Sequence, residues 1–134
     1  MALKKLLYAS RRANGDADAL DQILTRSRVR NKSDGITGVL LYDDRRFVQL
    51  LEGDHDPLAR CFLRIAMNDN HGEIEVAGFG DSAMRLFMDW DMRDIAMTPQ
   101  MPKLNSIWRA VMAQPQDARL AHFDATLLKL LPAG

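Results

Sequence analysis

The chain has 134 residues, and 18 Lys plus Arg are balanced by 18 Asp plus Glu, so its formal net charge is zero. A balanced chain lacks the basic surplus that draws proteins onto nucleic acid, and nucleic-acid binding is not expected. One cysteine, Cys61, excludes an intramolecular disulfide, and no apolar run approaches the roughly 20 residues that span a bilayer. Because the N-terminus also lacks the apolar core of a secretory signal, the sequence predicts a cytoplasmic protein without a membrane partner.

The first 30 residues predict a strand and a helix. LKKLLYAS has the composition of a strand, and the Asn14-Gly15 pair that follows is a strong turn signal. The segment from Asp16 to Arg30 is expected to be helical, with Asp16 as its N-cap. Its residues at helical spacing are Leu20, Ile23, Leu24 and Ser27.

The middle of the chain predicts a hairpin and a second helix. GITGVLLY and RRFVQLLEG are two apolar runs separated by Asp43-Asp44, which is typical of a hairpin. Asp56-Pro57 then predicts a helix start, with the aspartate as cap and the proline in the first turn. This helix is expected to end near residues 68–72, and its predicted buried stripe is Leu58, Cys61, Phe62 and Ile65.

Two more strands, around EIEVAGFG and MDWDMRDIAM, complete a βαββαββ order. This order predicts an α+β fold, a ferredoxin-like sheet with two helices on one face and one added strand, over residues 1–97. Residues 98–134 are expected to form a C-terminal helical extension packed on that domain. Its two short amphipathic helices contain Leu104, Ile107, Trp108 and Val111, then Leu120, Phe123, Leu127 and Leu130.

Three polar residues interrupt otherwise apolar, strand-rich sequence. Tyr8 lies in the first predicted strand, Asn31 follows the first helix, and Gln49 lies between Phe47 and Leu51 in the third strand. Buried polar groups need hydrogen-bond partners, so this combination indicates a polar planar ligand. Taken singly, the tyrosine is more often a packing residue, the glutamine can face solvent on an edge strand, and the asparagine can end a helix.

These segments together resemble a BLUF domain, the flavin-binding blue-light sensor, over roughly residues 3–97. The resemblance implies a flavin between the two helices, FAD with FMN as the alternative. It also implies that Tyr8 gives an electron and a proton to the excited flavin and that Gln49 switches its hydrogen bonds. The other roles it implies are a hydrogen bond to the flavin ring from Asn31, a basic residue near the phosphate in Arg64, a contact with the ring or its chain from Asp69, and a signal-relay pair in Trp90 and Met92.

Some residues fit this resemblance less closely. Near Asp69 the chain reads NDNHG, where the family more often has an arginine before the histidine. Arg28 and Arg30 either help with the ligand's phosphates or form the exposed end of a helix. Cys61 is interpreted as a small core residue. The three histidines lack metal-site spacing, so no metal site is predicted.

The resemblance implies a photoreceptor that is not an enzyme and that signals to a separate effector protein. The expected contact surface is the C-terminal helices or the open sheet face, and the apolar residues of those helices either cover the sheet or mediate self-association, so a homo-oligomer is expected. One alternative is a non-photoactive, ferredoxin-like protein-interaction module, which a colourless preparation that takes up no flavin would favour. A small flavoenzyme is a second alternative, which catalytic flux with a reductant would favour.

Overall fold

The structure is a computed structural model that describes residues 3–12, 17–68, 71–83, 85–86 and 92–131. It confirms the predicted βαββαββ order and the two C-terminal helices. The elements are β1 (Leu3–Arg12), α1 (Ala17–Asp34), β2 (Thr37–Tyr42), β3 (Arg46–Asp54), α2 (His55–Ala66), β4 (His71–Asp81), β5 (Arg93–Ala96), α3 (Leu104–Met112) and α4 (Arg119–Leu130), with a short 3₁₀ turn over Gln116–Ala118 before α4.

The sheet contains five strands in the order β4-β1-β3-β2-β5. Neighbouring strands are antiparallel except for β2 and β5, which run parallel. The first four strands therefore have the ferredoxin-like order, and β5 is added beside β2. The predicted α+β fold class is confirmed.

Helix boundaries differ from the sequence prediction at three places, and one of them is the end of α2, which lies at Ala66 and not near residues 68–72. Helix α2 begins at His55, with Asp54 at the N-cap position and no side-chain cap bond, so the prediction of Asp56 as the cap is wrong. Asp56 instead lies in the first turn, where its negative charge interacts favourably with the positive end of the helix dipole and stabilises the helix. The predicted Asn14-Gly15 turn and the predicted cap at Asp16 lie outside the described residues.

Helix α1 continues to Asp34, beyond the predicted end at Arg30, and Gly35 stops it. Gly35 has a φ of +68°, a left-handed conformation that glycine adopts without steric cost. The Gly35 N–H donates to the carbonyl of Lys32 at 3.5 Å, and the N–H of Ile36 donates to the carbonyl of Asn31 at 2.8 Å. These two bonds form the glycine-terminated Schellman cap, which fixes the last turn of α1.

Alternating residues of the strands form two separate apolar clusters, one on each side of the sheet. On the side covered by α1 and α2, called here the α1/α2 face, the buried cluster is Leu6, Tyr8, Leu20, Leu24, Ile36, Leu40, Phe47, Leu51, Leu58, Cys61 and Met92. On the other side, the α3/α4 face, the cluster is Leu7, Ala9, Val39, Leu41, Val48, Leu50, Ala77, Leu104, Ile107, Trp108, Val111, Phe123 and Leu127.

The C-terminal helices thus cover the sheet face that would otherwise be open. The four residues Ile107, Trp108, Phe123 and Leu127 are buried there. Of the two roles expected for their side chains, covering the sheet is the one observed, and these four side chains are therefore not themselves accessible to a partner. Among the described helices, none has both the length and the apolar character needed to cross a bilayer.

Candidate functional site

Tyr8 and Gln49 face each other across the β1–β3 ladder. The two residues are register partners, and both side chains point to the α1/α2 face, where they are 3% and 6% exposed. The Tyr8 hydroxyl donates a hydrogen bond to Oε1 of Gln49. On its other side β1 pairs with β4, and the register shifts between Leu7 and Tyr8, which indicates a β-bulge beside the tyrosine.

The amide of Gln49 also contacts the segment that leads into β5. Its Nε2 donates to Sδ of Met92 at 3.3 Å, and Met92 is 4% exposed. One side-chain amide therefore joins the first strand to the start of the last strand through its two ends.

Burial determines the protonation state of the tyrosine. Desolvation raises the pKa of Tyr8 far above its ordinary value of 10.0, with a smaller contribution from Cys61. The phenol is consequently neutral at physiological pH and can act as the hydrogen-bond donor to Gln49. The ring is held by edge-on contact with Phe62, at 5.7 Å between ring centroids.

Asn31 reaches the same space from the last turn of α1. The cap at Gly35 fixes this turn, and the side chain of Asn31 is 1% exposed. The thiol of Cys61, on α2, donates to Oδ1 of Asn31, with 3.9 Å between Sγ and the oxygen. Burial raises the pKa of Cys61, so the thiol stays protonated, in agreement with the predicted core role and unlike a reactive thiolate.

A cavity of about 230 Å³ lies between the sheet, α1 and α2. Its described lining residues include polar and apolar side chains from both the sheet and the helices, and three arginines from the helices, namely Tyr8, Gln22, Ile23, Leu24, Arg26, Ser27, Arg30, Asn31, Leu40, Phe47, Gln49, Cys61, Arg64, Ile65, Asn68, His71 and Met92. A concave site that combines apolar walls with convergent polar groups is the usual form of a small-molecule site. Its volume is somewhat below the roughly 300–1,000 Å³ of such sites, so a planar ring system fits inside while a longer substituent extends out.

The guanidinium of Arg64 lines this cavity and pairs with Asp34, with 3.2 Å between Nη2 and Oδ2. A guanidinium has five N–H donors, so the ion pair leaves others for an anionic group. Arg26 and Arg30 on α1 also line the cavity. Three basic side chains thus belong to a site whose inner end is uncharged, which suits a ligand with a neutral ring and a negatively charged tail.

His71 is a cavity residue that the sequence prediction missed. Its Nε2 lies 2.6 Å from the carbonyl of Ile65 and its Nδ1 lies 2.7 Å from Oγ of Ser10. Because a carbonyl only accepts, Nε2 carries a proton in this arrangement and donates to Ile65. The ring lies edge-on to Tyr8 at 6.3 Å between centroids. A lone histidine beside a turn-rich segment gives no sequence signal for this role.

The structure brings five of the predicted site residues to one cavity, and these are Tyr8, Asn31, Gln49, Arg64 and Met92. Asp69 and Trp90 lie outside the described residues. Within the described ranges, no group of three or more His, Cys, Asp or Glu is arranged to hold a metal ion. Of the two arginines left open by the sequence, Arg30 lines the cavity, while Arg28 bonds the chain near β5.

Comparison with protein families gives a match over residues 3–93 to the BLUF family, described as sensors of blue light using FAD. Photoactivated adenylate cyclase subunit beta of Euglena gracilis is 29% identical over 98 residues, which is 71% of this chain and 11% of that protein. The chain therefore spans only about a tenth of the length of this curated relative.

Solved structures with the same fold match over more of the chain. The dark-state structure of the BLUF protein BlrB is 31% identical, with a TM-score of 0.81 over 97% of this chain and 98% of that one. BlrP1 of Klebsiella pneumoniae with FMN and cyclic diGMP is 28% identical, with a TM-score of 0.69 over 92% of this chain and 34% of that one. The C-terminal helices are thus included in the matched region of BlrB.

Proposed function

Because the chain belongs to the BLUF family of flavin-binding blue-light sensors, we propose that Tyr8 and Gln49 are its photochemical donor and switch. The family match confirms the predicted blue-light sensor, and a family of sensors agrees with the prediction that the domain is not an enzyme. The observation that carries the proposal is the buried chain of hydrogen bonds from Tyr8 through Gln49 to Met92.

Two neighbours fit the same orientation of the Gln49 amide. The neutral Tyr8 hydroxyl, which can donate or accept, donates here to the carbonyl oxygen of the amide. The Met92 thioether only accepts, and weakly, so it needs the amide nitrogen. This arrangement satisfies both ends of Gln49 and corresponds to the dark state in our proposal.

A bound flavin supplies absorption of blue light and an excited state that takes up an electron. Tyr8 then releases an electron and its hydroxyl proton together, and both return to it, so the cycle has no net redox change. While the proton is away from Tyr8, the phenolic oxygen no longer donates to Gln49, and the constraint on the amide is relieved. Gln49 can then rotate by half a turn or change its tautomer.

Rotation of Gln49 has a direct consequence at Met92. After half a turn, Oε1 of the amide faces Sδ of Met92, and neither atom carries a hydrogen. Two buried acceptors in contact are unfavourable, so Met92 must withdraw or change its rotamer. This is how the switch reaches the last strand, and Trp90 is the predicted partner in that exchange.

The remaining roles follow the chemistry of the cavity. Asn31 would hydrogen-bond the polar edge of the ring, Arg64 would bind near the phosphate, and Asp69 would contact the ring or its chain. FAD is the proposed cofactor because the family description names it and because three basic residues line the cavity. The FMN of the BlrP1 structure makes FMN the alternative. Mass spectrometry of the cofactor released from purified protein distinguishes the two.

Signalling to an effector is proposed through the outer surfaces of the described domain, with self-association as a further part of the proposal. A cytoplasmic location stays a prediction from the sequence.

The test is an absorption spectrum of the flavin-loaded protein before and after blue light. We expect a shift to longer wavelength that reverses in the dark, and its loss in Gln49→Leu with flavin still bound. Gln116→Leu, at an exposed glutamine remote from the cavity, is the control and should shift like the original protein. A normal shift in Gln49→Leu would contradict the assigned switch.

A further inference from the structure

Met92 is held at two points, and only one of them belongs to the switch. Its sulfur accepts from Gln49, as described above, while its backbone carbonyl accepts a hydrogen bond from Nε of Arg28 at 3.0 Å. The same guanidinium donates from Nη2 to Oδ1 of Asp94 at 2.8 Å. One arginine of α1 therefore binds both the residue before β5 and the second residue of that strand.

The position of Met92 makes this contact informative. Strand β5 begins at Arg93, and its first ladder partner in β2 is Val39. Met92 thus lies where the regular pairing of the strand starts, between the ladder and the cavity. Arg28 adds a fixed point at this boundary from the helix, which itself is fixed by the cap at Gly35.

We propose that Arg28 is a positioning residue that holds the backbone of Met92 so that its sulfur faces Gln49, and thereby sets the rate of return from the lit state. The inference rests on the proposed switch, because it is the rotation of Gln49 that displaces Met92. Arg28 is not itself in the photochemical chain, since no bond joins it to Tyr8 or Gln49 among the described contacts.

Whether Arg28 speeds or slows dark recovery depends on which of the two states contains its hydrogen bond to Met92. A contact affects a conformational equilibrium only if it differs between the two states. The Arg28–Met92 bond is present with Met92 inward and is weakened when Met92 withdraws. Because it re-forms as Met92 returns, it lowers the barrier for recovery in the dark.

The experiment measures the dark recovery of the red-shifted absorption in flavin-loaded variants. Arg28→Ala is expected to slow recovery by about three- to tenfold, the range for partial loss of a charge-assisted hydrogen bond in the transition state. The size of the shift should be unchanged. Arg28→Lys keeps one cationic donor and should restore part of the rate.

Asp94→Asn separates the carbonyl contact from the ion pair. It removes the charge partner of Arg28 but leaves the bond to the Met92 carbonyl, so recovery should be slowed less than in Arg28→Ala. Lys32→Ala, at an exposed residue of the same helix, is the matched control and should recover at the original rate. If Arg28→Ala does not fold, Arg28→Gln, which keeps a donor and most of the side-chain length, takes its place, with slower recovery still expected.

Three results overturn the inference while leaving the proposed function intact. The first is original recovery kinetics in Arg28→Ala or Arg28→Gln with a normal shift. The second is equal slowing in Arg28→Ala and Asp94→Asn, which would assign the effect to the ion pair. The third is a loss of thermal stability in Arg28→Ala and Asp94→Asn without any change in the recovery rate, which would indicate that the arginine has only a structural role. Absence of any shift in the original protein would instead contradict the proposed function.

Discussion

On the α3/α4 face of the sheet, β1 and β3 present Leu7, Val48 and Leu50, each with 0% exposure, against two helices that fill the space above them. On the α1/α2 face, the next residues of the same two strands, Tyr8 and Gln49, line a cavity. The α3/α4 face is therefore a close-packed apolar core, whereas the α1/α2 face contains a cavity with polar groups in its lining. The comparison predicts that substitutions on the first face change stability alone, and that the light response changes only when the polar residues Tyr8 and Gln49 on the second face are replaced.

The largest effect is expected from Tyr8→Phe, which should abolish the red shift while flavin stays bound. The variant keeps the ring and its contact with Phe62 but removes the hydroxyl that donates to Gln49. Absorption spectra before and after blue light measure the result. Tyr42→Phe, at a half-buried tyrosine of β2 that does not line the cavity, is the control and should keep the shift. A normal lit state in Tyr8→Phe would refute its donor role.

On the opposite face, Phe123→Ala should lower the free energy of unfolding by about 3–5 kcal/mol, because it leaves a large cavity in a filled core. Phe123 has 0% exposure and lies between α4 and the sheet. Chemical denaturation measures the loss, and the size of the red shift in folded protein should not change. Leu128→Ala on the same helix, where the side chain is 56% exposed, should change stability by less than about 0.5 kcal/mol. Loss of the shift in folded Phe123→Ala would mean that the two faces are not separate.

The sequence predicted the order of the elements because alternating and helical patterns survive in the strands and helices of both faces. Tyr8 and Gln49 stood out because polar residues in apolar strands need partners, whereas Asn31, which lies in helix α1, was assigned from the family resemblance. Glu52 was missed, although it is fully buried on the α3/α4 face, because it reads as the polar end of a strand. The side chain of Glu52 contacts Lys5, Thr37 and Leu86. These residues come from separate parts of the chain, so no local pattern links them to Glu52.

The same limit explains the site residues that the sequence assigned only in part. The contact of Arg28 with the Met92 carbonyl joins residues 64 positions apart, and a backbone acceptor has no sequence signature. His71 reaches the cavity from the first residue of β4, where its ladder partner in β1 is Arg12, and this pairing joins residues 59 positions apart. Long-range pairing thus decides which polar residues meet, while the local pattern decides only which strand carries them.

Glu52→Gln tests whether the α3/α4 face tolerates a change of charge. The carboxylate accepts from Leu86 N–H at 2.6 Å and from the Thr37 hydroxyl at 3.2 Å, and its Oε2 lies 3.5 Å from Nζ of Lys5. An amide offers only one acceptor oxygen, so one buried donor loses its partner, and unfolding should become easier by about 2–3 kcal/mol. Lys5 keeps Asp124, at 2.9 Å, which limits the loss.

Chemical denaturation measures the free energy of unfolding of Glu52→Gln, with Glu75→Gln as the control. Glu75 is exposed on β4, so its replacement should change stability by less than about 0.5 kcal/mol. Equal stability of the two variants would show that the buried carboxylate adds nothing to the fold.

The smallest effect is expected from Cys61→Ala on the α1/α2 face, a loss of about 1 kcal/mol with the light response intact. Cys61 borders the cavity, so truncation enlarges an existing space and removes contacts on one side only. Leu58→Ala on the same helix provides the comparison, because Leu58 has 0% exposure and should cost about 2–5 kcal/mol. Both variants are measured by denaturation and by the light-induced shift. A light response lost in Cys61→Ala would give the thiol a part in the switch, through its contact with Asn31, and would contradict its assignment as a packing residue.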